Sequence, residues 1–156
     1  EFRRVLFRSH FIEADNSSYL YSNRKDSTYV YMENIGETYW RREKMPTPRL
    51  LLSGYEDKRV WSHEGIVHWK GMNICMVTDG YWHNKSATNL LNIDYMYLCK
   101  GYKGKIAPLQ KLFRIKKIVL DASLSDYKSK AYKEECKTLG LDYIDISEKG
   151  SFRILL

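Results

Sequence analysis

Aromatic and β-branched runs broken by polar turns dominate the first part of the chain, and helical spacing becomes prominent only after residue 105. Residues 18–22 and 28–32 place Tyr19 and Tyr21, then Tyr29 and Tyr31, at alternate positions, so each pair shares one face of a strand. The polar stretch Asn23–Ser27 between them predicts a hairpin. Residues 34–45 suit a short helix with a basic face, and Pro46 and Pro48 stop it because proline lacks the N–H a helix needs. Strands are predicted at 49–53, 59–62, 65–69 and 72–78, the last two joined by a tight turn at Lys70–Gly71. Asp79–Gly80 marks another turn, and 84–90 is polar and loop-like.

The second half follows a different grammar. Residues 93–99 predict a strand, followed by a glycine- and lysine-rich loop from Lys100 to Lys105. Ile106, Leu109, Leu112 and Phe113 have helical spacing, which predicts a short helix over 106–114. Residues 117–121 read as a buried strand. Ser125 or Asp126 can cap a helix running to Leu139, with Gly140 at the C-terminal glycine position. Strands are predicted again at 142–147 and 151–155. Strands first and then a β–α–β–α–β–β run imply an α/β fold: a mixed β-sheet with flanking helices on its outside.

The chain has 156 residues, 44% of them hydrophobic, which suits one domain with a packed core. No apolar stretch approaches the roughly 20 residues that span a bilayer, and no secretory signal pattern opens the chain. Residues 1–9, EFRRVLFRS, resemble a translated sequencing adapter, so the domain is read as 10–156. With no initiator Met, a reading frame cut at its 5′ end is expected. The formal charge is +7, of which the first nine residues supply +2 through Arg3, Arg4 and Arg8 against Glu1, which leaves +5. A mildly basic balance of this size is compatible with nucleic acid or an anionic surface. Cys75, Cys99 and Cys136 are odd in number and far apart, so they fit buried small hydrophobes rather than disulfides or a CxxC pair.

Catalytic signatures are scarce. The histidines, His10, His63, His68 and His83, form no HxH, HxxxH or HExxH, and none follows residue 83. The five-residue offset of His63 and His68 implies opposite strand faces. There is no GxSxG elbow, and Ser123 and Ser125 after a buried strand fit a helix cap better than a nucleophile. The pairs Asp142/Asp145 and Glu134/Glu135 have the spacing of ordinary surface charge. Lys100-Gly-Tyr-Lys-Gly-Lys105 follows a strand but matches neither GxxxxGK[ST] nor GxGxxG. Lys100, Lys103 and Lys105 could face a phosphate chain while Tyr102 stacks on an unpaired base.

The segment from Ile93 to the end, together with WRREKMPTPRLL near residues 40–52, resembles the C-terminal part of ComEC family competence proteins, in the branch found in Bacteroides-like bacteria. The resemblance covers 10–156 and implies a partial fold similar to metallo-β-lactamases, with a DNA channel upstream. In metal-bearing members a strand runs into a His-His-Gly-Ser segment. Here Asp94–Cys99 matches the strand, and Lys100-Gly101 stand where the histidine pair would be. The later loop, Ala122–Tyr127, has no histidine, and Ser147–Gly150 matches a Thr-x-x-x-Gly turn with Ser for Thr. No His-x-His-x-Asp-His loop occurs in the chain.

The resemblance therefore implies a non-catalytic C-terminal domain without metal or cofactor. It would belong to an inner-membrane DNA-uptake protein, lie on the extracytoplasmic side, and either guide single-stranded DNA or buttress the channel. Its expected partners are single-stranded DNA and the channel portion of the same protein, with DNA contacts from Lys100, Tyr102, Lys103 and Lys105. The alternative is a metal-dependent hydrolase or nuclease drawing on His63, His68, His83 and Asp79.

Overall fold

The computed structural model describes residues 9–14, 17–22, 41, 44, 47 and 49–150. Ten strands are described: β1 (Ser9–Ala14), β2 (Ser17–Ser22), β3 (Arg49–Leu51), β4 (Tyr55–Glu56), β5 (Val60–His63), β6 (Ile66–Trp69), β7 (Met72–Val77), β8 (Leu91–Leu98), β9 (Phe113–Leu120) and β10 (Asp142–Asp145). A 3-10 turn covers Ala107–Lys111, α1 is Asp126–Leu139, and α2 is the single turn Ile146–Lys149. The strands form a three-stranded sheet, β1-β2-β3, and a seven-stranded sheet of order β10-β9-β8-β7-β6-β5-β4.

Connection length decides strand direction in the larger sheet. Glu64–Gly65 and Lys70–Gly71 are two-residue turns with φ of +47° and +78° in both cases, as a type I′ hairpin requires. They make β5–β6 and β6–β7 antiparallel. From β7 onward the connections are longer, and β7, β8, β9 and β10 all run parallel. The expected mixed sheet with helices is present.

The sheet buries both of its faces. One carries Cys75, Val77, Met96, Leu98, Ile118 and Leu120 beneath Leu109, Tyr132 and Cys136. The other carries Val67, Trp69, Ile74, Met76 and Val119, and there Tyr19 of β2 and Leu51 of β3 join the core. Parallel strands buried on both sides read as unbroken apolar runs, such as Ile118-Val119-Leu120.

Asp57 ties the small sheet to the large one. Its carboxylate accepts bonds from the Tyr19 and Tyr55 hydroxyls at 2.9 Å each, and from the N–H groups of Arg59 at 2.8 Å and Val60 at 3.0 Å. Arg49 of β3 lies 3.5 Å away. Burial would raise the Asp57 pKa, but these donors outweigh it and hold the group at about 2.

Several expectations need correction. The helix predicted over 106–114 is only the short 3-10 turn, and β9 starts at Phe113 rather than 117. Ile115 and Ile118 face the same core although they are three residues apart, and so do Ile93 and Met96 on the paired strand. Ile106, Leu109, Leu112 and Phe113 do share one core, but the first three reach it from the 3-10 turn and its caps, and seven register pairs with β8 make Phe113 the start of a strand. The last described strand ends at Asp145 because its carboxylate caps α2, accepting the Ser147 N–H at 2.8 Å. Residues 18–22 do form a strand, but its described neighbours are β1 and β3. The predicted strands at 28–32 and 151–155 lie outside the described residues, as does the 34–45 helix apart from Arg41 and Lys44.

Candidate nucleic-acid interface

The register brings the carboxyl ends of the four parallel strands to one edge: Val77 pairs with Leu98, Leu98 with Leu120, and Leu120 with Asp145. In open α/β sheets this edge is where ligands dock. Thr78, Cys99, Asp121 and Ile146 each lie immediately beyond it, and Lys100 follows Cys99.

The lysine loop after β8 is bound tightly to its surroundings. Gly101 has φ of +113°, and a side chain there would collide with the Thr78 carbonyl. The Lys100 N–H donates to Ser123 Oγ at 3.0 Å, and Ser123 Oγ in turn donates to Asp121. Lys128 of α1 donates from Nζ to the Lys103 carbonyl at 3.3 Å. Tyr132 of α1 donates to the Gly104 carbonyl at 3.0 Å. Glu135 of the same helix accepts the N–H groups of Ile106 at 2.8 Å and Ala107 at 3.0 Å, and so closes the start of the 3-10 turn.

The structure treats the four sequence-predicted contacts differently. Lys100, Lys103 and Lys105 are exposed. Tyr102 is buried at 4% exposure, with its ring stacked on Tyr132 at 6.4 Å and its hydroxyl donating to the Lys105 carbonyl at 2.7 Å. Burial and the nearby Glu135 push its pKa up to about 12, so it is a neutral hydrogen-bond donor inside the loop. Gly104 lacks a Cβ that would strike this ring. Tyr102 is therefore a strut of the loop, and it leaves the list of base-stacking candidates because no ring face meets solvent.

The histidines also differ from expectation. His63 and His68 lie on adjacent antiparallel strands, where His63 pairs with Ile66 and Trp61 with His68. The intervening turn puts both on one face, against the opposite faces expected for a single strand. His68 Nδ1 meets Asn73 Oδ1 at 2.7 Å. His83 sits in the loop between β7 and β8, and among the described residues no three His, Cys, Asp or Glu side chains gather as metal ligands.

Two carboxylates expected at the surface have structural work. Asp145 is 4% exposed and contacts Lys133 Nζ at 2.6 Å, Ser129 Oγ at 2.8 Å and Ser147. Burial would raise its pKa, yet the bonds from Lys133, Ser147 and Ser129 hold it at about 2. Hydrogen bonds to Asp145 and Glu148 push Lys133 upward in return. Glu135 caps the loop as described. Only the Asp145–Ser147 cap is local in sequence; Ser129 lies 16 residues from Asp145, and Ile106 lies 29 residues from Glu135.

A family model, the ComEC C-terminal domain, matches residues 8–156. The chain belongs to the ComEC C-terminal domain family. ComEC proteins are membrane proteins of competence, so this domain is a component of DNA-uptake machinery. No curated protein and no solved structure matches the chain. No helix among the described residues of this ComEC domain is long and apolar enough to cross a membrane.

Proposed function

We propose that this ComEC domain is a non-catalytic module that guides single-stranded DNA beside the channel portion of the same protein, on the extracytoplasmic side. Its scaffold is read as metallo-β-lactamase-like, with Lys100-Gly101 in place of a ligand pair. The observation carrying the reading is the lysine loop: Lys100, Lys103 and Lys105 project from a braced backbone at the ligand-docking edge. Ammonium groups held there attract phosphates without reading sequence. The bracing fixes the loop before binding, which lowers the ordering cost of association.

The test is fluorescence anisotropy of a labelled oligo(dT) with the full chain across a salt series. Binding should weaken steeply with salt. The triple change Lys100→Ala, Lys103→Ala and Lys105→Ala should flatten the log–log salt slope by about 2, at roughly 0.7 per phosphate contact on single strands. Negligible binding at low salt overturns the guiding role. Stoichiometric zinc or manganese in the purified protein would instead favour the hydrolase reading built on His63, His68, His83 and Asp79.

A further inference from the structure

Burial of Tyr102 leaves the lysine loop without the aromatic platform that single-strand surfaces combine with positive charge. We infer that Tyr127, on the first turn of α1, is that platform, a proposal that rests on the single-stranded DNA reading above.

Tyr127 is 83% exposed, the most exposed large hydrophobic side chain among the described residues. Burial explains Tyr19, Tyr97, Tyr102 and Tyr132, which are all core members. Tyr127 has no such explanation, because a ring so open to water adds little to the packing of the fold.

Its position is set by the contacts of its neighbours. Ser125 caps α1 by accepting the Lys128 N–H at 3.3 Å, which fixes the first turn. The loop on β8 touches the chain on both sides of Tyr127: the Lys100 N–H reaches Ser123, and the Lys103 carbonyl receives Lys128 Nζ. Tyr127 thus sits in a segment held on both sides by the loop that carries the exposed Lys100 and Lys103. Lys130, three residues on, is exposed as well and lies on the same side of the helix. Asp126 and Asp121 are acidic at this end, and Asp121 is engaged by Ser123. An exposed ring on the helix turn that the lysine loop contacts suits a strand whose phosphates meet the lysines while one base lies on the phenol. Such a contact tolerates any base, because every base has a π-face.

Two probes separate stacking from charge: oligo(dT) and an abasic deoxyribose-phosphate strand of equal length, each measured with the full chain at low salt. Tyr127→Ala should weaken oligo(dT) binding about tenfold and leave the abasic strand unchanged, because stacking needs a base. Tyr127→Trp should restore or tighten oligo(dT) binding. Neither variant should alter the salt slope. If Tyr127→Ala binds oligo(dT) like the parent while the triple lysine variant is weakened, the stacking role is overturned and the lysine surface stands. Equal weakening on both strands also overturns stacking and makes Tyr127 a backbone contact. If the parent binds neither strand, the guiding function falls, and this inference with it.

Discussion

The parallel and antiparallel halves of the large sheet are held together by different means. Strands β8, β9 and β10 are joined by long connections that fold back and pack, so stability depends on contacts between distant residues such as Glu135 with Ile106 and Asp145 with Ser129. Strands β5, β6 and β7 are joined by two-residue turns, so their pairing is local. Each half nonetheless centres on a carboxylate held at about pKa 2. Asp145 is nearly buried and is neutralised by the Lys133 ammonium. Asp57 is more open and is satisfied mainly by neutral N–H and O–H donors. A buried charge pair leaves more behind when broken than a ring of neutral donors does.

Breaking the parallel half at that point should have the largest effect. Asp145→Ala removes the carboxylate shared by Lys133, Ser129 and Ser147, uncaps α2 and leaves Lys133 with Glu148 alone, and should lower unfolding free energy by about 3 kcal/mol in urea titrations. Its pH dependence follows from sign. The folded pKa of about 2 lies below the ordinary 3.8, so the stabilising contribution is full above pH 4 and disappears as pH falls toward 2. The parent should lose stability through this window, and Asp145→Ala should lose less. A parent curve flat to pH 2 would contradict both carboxylate assignments.

Gly101→Ala comes next. The positive φ and the Thr78 carbonyl oppose a side chain, and a loss of about 2–3 kcal/mol is expected from the same titrations. In the antiparallel half, Asp57→Ala should cost roughly 2 kcal/mol. It should also act locally: hydrogen exchange should speed up in β2 and β3, which Tyr19 and Arg49 tie to Asp57, while β8 and β9 keep their protection. Uniform loss across both sheets would show that the two regions unfold as one. The smallest effect is Ser125→Ala, about 1 kcal/mol from the lost helix cap, read as a shift in the urea midpoint.

Local chemistry was legible wherever one residue type has few conformational options. Lys70–Gly71 announced its hairpin, and Ser125 and Gly140 announced the ends of α1, with Gly140 at φ of +66°. The candidate site was half legible. Charge and loop position marked Lys100, Lys103 and Lys105, but whether Tyr102 faced water depended on Tyr132, thirty residues away. Asp145 and Glu135 looked like surface acids because Ser129 and Lys133, and the Ile106 and Ala107 N–H groups, reach them only once the fold has formed.

By itself the sequence determined the α/β class, the turns and the caps, because each follows from the φ a residue allows and the N–H it can satisfy. Tertiary structure alone decided which tyrosine is core and which meets solvent, where β9 begins, and which acids are buried. Burial and strand pairing depend on what lies opposite, and residues far apart in the chain supply that only after the sheet has formed.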